Sequence, residues 1–522
     1  MNAPRPVPPR RKLPIGIQNL RQMREGGHYY VDKTGMAIDL IESGKSFFLS
    51  RPRRFGKSLL VDTFKELFEG NRALFEGLAA ESRWDWSQRH PVVRISFGGG
   101  GLTSAERLEQ RIFEILDDNE RRLGVVCRHR SVGGRFAELI ERAHAQHGAP
   151  VVVLIDEYDK PILDSIEDRA LATVMREGLK ALYGMLKDAD AHLKFVFMTG
   201  VTKFSKVSLF SGLNNLKDIT IDPRWSSLCG YTDRDVDTVF APELPGLDRD
   251  EIRRWYNGYN WRGESVYNPF DLLLLFDTRE FRPYWFETGT PTFLIRLLTE
   301  RQVHTPTIGQ TVATESLLST FDVDTIPTEA LMFQAGYLTI DQSLLLRGRP
   351  TYKLKYPNHE VQASLNDSLL RGYSGDVAAS EPQVLRLWEL LEVGDPAGLR
   401  TLFHAFFASI PNDWYRNSPI ARFEGYWASV FYSHFAALGL DIRVEDVTSQ
   451  GRIDMAVLAG GAVWLFEFKV VELVPQGRAL QQLQDRRYAD KYRDRGEPIH
   501  LTGVEFSKTD RNIVGFEVET LA

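Results

Sequence analysis

Apolar runs and amphipathic stretches alternate through the first 200 residues of the chain. The apolar runs predict buried strands at residues 46–50, 91–97, 151–155 and 193–199. Between them, apolar residues recur at helical spacing, which predicts helices at residues 59–68, 107–122 and 135–147. Strands that alternate with helices are typical of an α/β fold, in which helices cover both faces of a parallel sheet.

The pattern changes beyond this region. From about residue 230 it is mostly helical and rich in aromatic residues. A helix at 328–338 followed by a strand at 351–355 indicates a small winged-helix-like element, and residues 382–407 are again helical. The last block predicts a helix, two strands and a second helix; its helices are at 422–438 and 476–492, and its central strand is at 463–471.

Length and composition narrow the class of protein. A chain of 522 residues exceeds one ordinary hydrophobic core, so we predict several domains. No apolar run reaches the ~18 residues that cross a bilayer, and two cysteines do not make a disulfide framework. We therefore expect a cytoplasmic protein without a membrane partner. Because the net charge is −6, binding to nucleic acid must depend on local basic patches.

A phosphate-binding loop is indicated at residues 51–58, directly after the first predicted strand. Such a loop needs a glycine that lets the backbone approach the anion, a lysine, and the N-terminus of a helix. Gly56 and Lys57 meet this need for ATP, and Ser58 would bind Mg²⁺. Arg51 replaces the first glycine of the usual pattern. The other expected cofactor-binding residues of the loop are Arg53, Arg54 and Phe55.

Polar residues at the ends of two later strands complete this site. Asp156 follows the strand at 151–155, where it could hold Mg²⁺ through water, and the adjacent Glu157 could polarise the water that attacks the γ-phosphate. Thr199 ends the next strand, at the place of a polar sensor of the γ-phosphate. This order predicts ATP binding and hydrolysis. The alternative is a turn and an acidic strand end that bind no nucleotide.

A second site is indicated near the C-terminus. Glu424 shares the apolar face of the helix at 422–438, where a carboxylate needs a partner or a metal. Asp454 lies near the start of a strand, and Glu467 and Lys469 point to one side of the central strand because they are two residues apart. Charges in so apolar a strand are costly unless they meet a metal and a substrate.

These residues predict metal-dependent hydrolysis of phosphodiesters. The carboxylates of Asp454 and Glu467 and the carbonyl of Phe468 would bind Mg²⁺ or Mn²⁺, which lowers the pKa of a bound water. Lys469 would orient that water or stabilise the developing charge, and Gln482 on the following helix would help to hold the nucleophile or the substrate. The alternative is a buried network of ion pairs among the same charged residues.

The chain resembles a prokaryotic family that joins an AAA-ATPase-like domain to a C-terminal domain of the PD-(D/E)XK nuclease superfamily. The resemblance covers nearly the whole chain and rests on motifs that include RPRRFGKS at 51–58, LIDEYD at 154–159, MTGVTKFS at 198–205, GRIDM at 451–455 and FEFK at 466–469. It implies a P-loop sheet with an extra strand between the two strands that carry the ATP site. An arginine at the position of Arg51 is usual in this family, so the loop is expected to function.

The resemblance also assigns site residues. The ATP site of the family matches Gly56, Lys57, Ser58, Asp156 and Glu157, and its nuclease signature matches Glu424, Asp454, Glu467, Lys469 and Gln482. We predict a flexible basic arm, an AAA-ATPase-like P-loop domain, a helical and winged-helix-like region, and a restriction-endonuclease-like α/β domain. Their boundaries are 1–12, 13–230, 231–380 and 381–522.

The predicted function is that of an ATP-binding, metal-dependent nuclease for DNA. The ATPase domain would bind nucleotide, change shape or form homo-oligomers, and thereby regulate cleavage by the C-terminal domain. The resemblance associates such proteins with defence against foreign DNA. The alternative is a nucleotide-controlled switch or scaffold that binds nucleic acid without cleaving it.

Overall fold

The computed structural model describes residues 9–99, 102–203, 215–289, 305–319, 327–374, 377–409, 424–510 and 512–521, together with a few residues between 294 and 301. The chain forms two compact units. The first unit comprises residues 1–288 and 312–358, and the second comprises residues 289–311 and 359–522. Among the helices in the described ranges, none combines the length and the apolarity that a bilayer crossing requires.

A five-stranded parallel sheet organises the first unit. Its strands are β1 (Ser46–Ser50), β2 (Val92–Ser96), β3 (Val151–Asp156), β4 (Leu193–Gly200) and β5 (Lys217–Asp218). They lie in the order β2-β3-β4-β1-β5. The fourth strand therefore lies between β1 and β3, which carry the expected ATP site, as the resemblance implies. Because the strands are parallel, the ends of β1, β3 and β4 meet at one edge of the sheet.

Helices connect these strands and cover the sheet. They are α1 (Leu20–Glu25), α2 (Thr34–Glu42), α3 (Lys57–Phe68), α4 (Ala79–Arg83), α5 (Ala105–Leu123), α6 (Val132–His147), α7 (Lys160–Leu163) and α8 (Arg169–Asp188). The side chains of Ser104, Ser131 and Asp168 accept backbone hydrogen bonds at the starts of α5, α6 and α8. Gly124 and Gly148 end α5 and α6 in the left-handed conformation. Every residue of β3 is buried because helices cover both faces.

The middle of the chain continues the first unit with short helices around an aromatic cluster. The helices are α9 (Asp233–Val239), α10 (Arg249–Tyr256), α11 (Pro269–Thr278) and α12 (Tyr284–Gly289). Tyr29, from the N-terminal segment, packs against Phe240 in this cluster. The N-terminal segment and the middle region therefore share a core beside the parallel sheet.

A three-stranded antiparallel sheet in the first unit agrees with the winged-helix-like prediction. After α13 (Thr305–Ile308), which belongs to the second unit, come β6 (Val312–Thr314), α14 (Glu315–Ser319), α15 (Thr328–Ala335), β7 (Thr339–Leu346) and β8 (Arg349–Lys355). The strand order is β6-β8-β7. The predicted helix at 328–338 ends earlier, at Ala335, because Gly336 adopts a left-handed conformation with φ of +94°.

The second unit contains a mixed sheet. Its strands are β9 (Asp441–Thr448), β10 (Gly451–Ala459), β11 (Ala462–Val471), β12 (Ile499–Ser507) and β13 (Ile513–Leu521), in the order β13-β12-β11-β10-β9. Only the β11–β12 pair of this sheet is parallel. The helices are α16 (His359–Ser374), α17 (Val377–Glu392), α18 (Pro396–Ser409), α19 (Glu424–Ala437) and α20 (Arg478–Asp485), with a 3₁₀ helix at Tyr488–Arg495. This is the α/β fold that the resemblance implies.

Two predicted helices are divided. The stretch at 476–492 forms α20 and the 3₁₀ helix, separated where Arg487 has φ of +48°. The stretch at 382–407 is interrupted between α17 and α18, where Gly394 has φ of +62°. In both places a left-handed residue ends the regular helix.

Residues 1–8 of the predicted arm lie outside the described residues, whereas Arg10 donates a hydrogen bond to the carbonyl of Pro242. The divisions at residues 230 and 380 stay predictions: the first unit includes both sides of residue 230, and the second unit includes both sides of residue 380.

Candidate functional site

The loop between β1 and α3 has the backbone geometry of a phosphate cradle. Gly56 precedes α3 with φ of +84°, a left-handed conformation that is strained for other residues. The ammonium group of Lys57 donates hydrogen bonds to the carbonyl oxygens of Arg51 and Pro52, at 2.9 and 2.8 Å. The loop therefore encloses its own lysine at the N-terminus of α3.

Asp156, Glu157 and Thr199 come together at the ends of β3 and β4. The hydroxyl of Thr199 donates to Oδ1 of Asp156 at 2.6 Å, and both side chains are buried. Glu157 has φ of +54°, an unusual conformation for a residue other than glycine, which costs about 1 kcal/mol or more and is typical of functional sites. The three predicted residues therefore form one acidic edge.

Burial shifts the ionisation of this edge. Burial lowers the pKa of Lys57, against the attraction of Asp156 and Glu157. Burial also raises the pKa of Glu157, and the charge of Asp156 raises it further. Two carboxylates that repel each other beside a single lysine favour the binding of a further cation. The oxygens of Ser58 and Asp156 are of the kind that Mg²⁺ prefers, so these residues fit the expected ion.

Arg51 is a buried structural residue. Its guanidinium donates hydrogen bonds to the carbonyl oxygens of Ser50 and Thr220, both at 2.8 Å, and of Trp225 at 3.1 Å. It also lies over the ring of Trp261, 3.9 Å from a ring centroid. Burial lowers the pKa of Arg51 to about 10, so the group stays protonated at neutral pH. The residue that departs from the usual motif therefore anchors the loop.

Two other predicted loop residues make packing contacts. Phe55 is buried, with ring centroids 4.7 Å from Tyr259 and 5.5 Å from Trp261. The guanidinium of Arg54 lies 4.6 Å from the ring centroid of Phe270, and Arg54 has φ of +69°. Contacts of Phe55 with a phosphate would therefore come from its backbone, because its ring is occupied by packing.

A cavity of about 410 Å³ lies beside the loop. Arg53, Ser58 and Glu157 line it together with residues of the N-terminal segment and of the middle region, whereas Asp156 and Thr199 are not part of its lining. A volume of this size accommodates a nucleotide-sized ligand. The structure thus places most predicted ATP-site residues around one cavity and the Asp156–Thr199 pair behind it.

Asp159 is a buried carboxylate of this site that the sequence analysis missed. It accepts hydrogen bonds from the backbone N–H groups of Val201 and Thr202, at 3.0 and 2.6 Å, and from the Thr202 hydroxyl at 2.6 Å. Burial raises its pKa. Asp159 lines the cavity and ties the end of β4 to the segment after β3. Its position two residues after Glu157, at the end of the LIDEYD motif, was the signal in the sequence.

The winged-helix-like element contacts the phosphate loop. A Cβ built on Gly336 would lie 2.6 Å from Cγ of Pro52, so only a glycine fits at the end of α15. Gln334 of α15 accepts a hydrogen bond at 2.7 Å from the backbone N–H of Lys203, which follows β4. The end of α15 therefore lies against both the phosphate loop and the segment after Thr199.

The second candidate site lies where β10 and β11 part. Their ladder ends with the pair of Met455 and Phe466, and the next residues along the two strands are Asp454 and Glu467. Beyond the ladder, Oδ2 of Asp454 accepts a hydrogen bond from the backbone N–H of Phe468 at 2.8 Å. Two carboxylates and the backbone of Phe468 are therefore adjacent.

Two further predicted residues meet Glu467. The ammonium of Lys469 donates to Oε1 of this buried glutamate at 3.0 Å, and the amide of Gln482 donates to the same oxygen. The contact between Lys469 and Glu467 fits both the nuclease and the ion-pair interpretation. Glu424 begins α19, but its side chain lies outside the described residues.

The donors of this site fit a hard divalent cation. The carboxylates of Asp454 and Glu467 and the carbonyl of Phe468 are oxygen donors, which suit Mg²⁺ or Mn²⁺ and not a thiolate-bound metal. In the part of the chain that the structure describes, no three His, Cys, Asp or Glu side chains form a metal-binding group. Among the described residues, an ion at this site would therefore need the Phe468 carbonyl and water in addition to the carboxylates of Asp454 and Glu467.

Glu505 positions the helix that carries Gln482, and the sequence analysis missed it. Its buried carboxylate on β12 accepts hydrogen bonds from successive backbone N–H groups at residues 476–479, where α20 begins. A carboxylate at a helix N-terminus satisfies donors that lack helical partners and interacts favourably with the helix dipole. Glu505 thereby fixes α20 against the sheet and brings Gln482 to Glu467.

Both sites lie within regions of the chain that match known protein families. Residues 14–210 match a family model described as predicted AAA-ATPase, and residues 422–516 match one described as PD-(D/E)XK nuclease superfamily. The chain is 65% identical over 513 residues to an uncharacterized protein in the vnfD 5′ region of Azotobacter chroococcum mcd 1, a match that covers 98% of this chain and 99% of that protein. The chain therefore belongs to a family in which a predicted AAA-ATPase domain is joined to a domain of the PD-(D/E)XK nuclease superfamily.

Proposed function

We propose that the protein is a divalent-metal-dependent nuclease that acts on DNA and is regulated by ATP. The observation that carries the proposal is the convergence of Asp454, Glu467, Lys469 and Gln482 at the point where β10 and β11 part. These side chains come from two strands and a helix, so their meeting depends on the fold and not on a local run of charges. A second, nucleotide-sized site on the same chain supports regulation.

At the nuclease site, each residue has a distinct role. Asp454, Glu467 and the carbonyl of Phe468 would hold Mg²⁺ or Mn²⁺, which when bound lowers the pKa of water and neutralises phosphate charge. Lys469 would position the attacking water and stabilise negative charge that develops on the phosphate oxygens. Gln482 donates to Glu467 and fixes the orientation of that carboxylate. Glu424, at the start of α19, would add a further carboxylate.

At the ATP site, Lys57 would exchange its two loop carbonyls for oxygens of the β- and γ-phosphates. Ser58 and Asp156 would hold Mg²⁺, and Glu157 would polarise the attacking water. Thr199 orients the Asp156 carboxylate through its 2.6 Å hydrogen bond. The backbone of the loop, including Arg53, Arg54 and Phe55, would surround the phosphates.

Regulation would pass through the winged-helix-like element. Gly336 abuts the phosphate loop and Gln334 is bonded to the segment after β4, so a movement of either would shift α15. The proposal includes homo-oligomers as a form of the active protein and a cytoplasmic setting, in which the free Cys127 and Cys229 stay reduced.

A cleavage assay tests the proposed function. Wild type and the Asp454→Ala variant would be incubated with linear, circular and single-stranded DNA and with RNA, with Mg²⁺ or Mn²⁺, and with and without ATP. The matched control is Asp441→Ala, which removes an exposed carboxylate from β9 of the same sheet. We expect DNA cleavage by wild type and the control, none by Asp454→Ala, and none with a chelator.

The outcomes separate the interpretations. Cleavage that persists in Asp454→Ala would refute the assignment of the site. Binding of nucleic acid that depends on nucleotide, without cleavage under any condition, would favour the switch or scaffold. Cleavage that is equal with and without ATP, and unchanged in Lys57→Ala, would refute the regulatory part alone.

A further inference from the structure

The hairpin between β7 and β8 ends in an exposed tip. Residues 342–350, which we name the wing, are all exposed. Leu345 and Leu346 are 72% and 54% exposed. Adjacent large apolar side chains with this exposure, at the end of a hairpin, indicate a surface that has a partner.

The wing is also basic. Arg347 and Arg349 flank Gly348 at the tip, and Lys353 follows on β8. The ion pairs among the described residues do not include these three cations, whereas the neighbouring Lys355 is paired with a carboxylate at 3.0 Å. On a chain whose net charge is −6, such a tip is a local patch of the kind that contacts a polyanion.

The register of the hairpin combines the two properties on one face. Leu346 is directly opposite Arg349, and opposite residues of an antiparallel pair share a face. Arg347 and Gly348 have φ of +49° and +81°, as in the tight turns that close hairpins. A Cβ built on Gly348 would meet no atom within 4 Å, so the outer side of the turn is open. The tip is therefore a narrow edge that carries an apolar side chain beside a guanidinium group.

The second helix of this element is not accessible to nucleic acid. Residues 330–334 of α15 are all buried. The side chain of Gln334 is engaged at both ends, by the backbone N–H of Lys203 at 2.7 Å and by the carbonyl of Leu318 at 2.9 Å. A helix in this position cannot enter a major groove. Of α15 and the wing, only the wing is therefore available to nucleic acid.

We propose that the wing binds the minor groove of duplex DNA, preferentially where A·T pairs narrow the groove. Narrow minor grooves concentrate negative potential and attract inserted arginine side chains, here Arg347 and Arg349. Apolar side chains such as Leu345 and Leu346 act as wedges against the base steps. G·C pairs disfavour this contact because guanine places its amino group on the groove floor. The inference rests on the proposed function, because it requires DNA as the partner, and it adds a second DNA contact outside the nuclease site.

The test measures DNA binding by the full chain in the Asp454→Ala background, so that cleavage does not interfere. Fluorescence anisotropy would compare an A-tract duplex with a G·C duplex of equal length, with and without the minor-groove ligand netropsin. Replacing Arg347 and Arg349 by alanine is expected to weaken binding to the A-tract duplex roughly tenfold or more, with a smaller effect on the G·C duplex. Netropsin is expected to compete only on the A-tract duplex.

A matched double variant controls for net charge. Arg121→Ala with Arg128→Ala removes two exposed arginines from the same unit and is expected to leave the preference for A-tracts unchanged. Binding of a fluorescent ATP analogue that stays at the wild-type level in all variants would show that the first unit remains folded, because the end of α15 in the same element lies against the phosphate loop.

Several results would overturn the inference. One is an equal loss of affinity for both duplexes in the wing variant, and another is no loss at all. If the wing variant keeps its DNA affinity but no longer self-associates, the partner of the wing is a second copy of the chain. If it keeps its DNA affinity but no longer binds anionic lipid vesicles, the partner is a membrane. If the wild type cleaves RNA or single-stranded DNA but does not bind duplex DNA, the proposed wing contact is wrong and the proposed nuclease activity stands. A failure of the nuclease proposal itself would appear in the cleavage assay.

Discussion

Replacing Arg51 by glycine restores the usual first residue of a phosphate loop, yet we expect this change to abolish nucleotide binding. The motif alone predicts that glycine at this position improves nucleotide binding. The structure predicts the opposite, because the guanidinium links the loop to three carbonyl oxygens and covers the ring of Trp261. Glycine would remove the Arg51 donors from the buried carbonyls of Ser50 and Thr220, and open space beneath the loop, whereas the Trp225 carbonyl keeps the N–H of Leu228.

The size of the effect follows from these contacts. A hydrogen bond from a charged donor contributes about 1.5–3 kcal/mol, but removing the guanidinium also removes the cost of burying a charge. A buried polar group that loses its partner costs about 1–3 kcal/mol. For the carbonyls of Ser50 and Thr220 together we expect a loss of about 4 kcal/mol in the free energy of unfolding of the first unit. Whole domains have only 5–15 kcal/mol, so the loop would be largely disordered in the variant.

Urea unfolding and titration with a fluorescent ATP analogue would measure the two consequences. Arg53→Ala is the matched control for the unfolding measurement alone, because Arg53 lines the nucleotide cavity; it removes the same charge from an exposed neighbour and is expected to change stability by less than about 0.5 kcal/mol. The stability of Arg51→Lys should lie between the stabilities of Arg51→Gly and Arg53→Ala, because one ammonium group cannot reach all the carbonyls that a planar guanidinium bridges. An Arg51→Gly protein with wild-type stability and affinity for nucleotide would refute the anchoring role.

Three further predictions concern other residues. Glu157→Gln should slow ATP hydrolysis about 100-fold or more while ATP affinity is retained, and hydrolysis by the variant at the wild-type rate would contradict the role of Glu157. Because burial raises the pKa of Glu157, lowering the pH should reduce the rate of the wild type at a pH above the usual range for a glutamate. Burial lowers the pKa of His434 to about 4, so between about pH 6.5 and 4 this histidine is protonated in the unfolded chain but not in the folded chain. The free energy of unfolding should therefore fall by up to about 3 kcal/mol from pH 6.5 to 4. Urea unfolding of His434→Gln should not show this loss. Gly258→Ala should lower the melting temperature strongly, because Gly258 has φ of +120° and a Cβ would lie 1.9 Å from the Pro357 carbonyl oxygen. The control is Gly184→Ala in α8, where a Cβ would meet no atom within 4 Å, and this change should be neutral or stabilising. Equal melting temperatures of the two variants would contradict the steric argument.

Four strands of the first unit, β1 to β4, could be predicted because they are continuous apolar runs, whereas β12 and β13 of the second unit were missed. The predicted strand at 46–50 has the bounds of β1, and that at 151–155 differs from β3 by one residue. The two-residue β5 and the three-residue β6 could not be predicted, since so few residues show no period. β7 was not predicted; residues 342–346 are all exposed and lack the alternation of a half-buried strand.

The candidate sites were predictable to the extent that their chemistry is local. Spacing brought Glu467 and Lys469 to one side of β11, and the structure shows them in contact. Asp159, Glu505 and Arg51 have roles that depend on backbone groups far away in the sequence, and no local pattern shows such partners. The division of the helix at 476–492 was also hidden, because the left-handed Arg487 follows from the packing of the second unit and not from a glycine in the sequence.

The conformation of the phosphate loop depends on residues far from it in the sequence. The matched AAA-ATPase region ends at residue 210, but Thr220, Trp225 and Trp261, which hold the Arg51 guanidinium, all follow that point. A fragment that stops at residue 210 would carry every residue of the motif and yet leave the Arg51 guanidinium with the Ser50 carbonyl but without those of Thr220 and Trp225. The smallest fragment able to fold around a nucleotide therefore extends beyond residue 261, and any attempt to transplant the loop into another scaffold has to transplant its distant carbonyls as well.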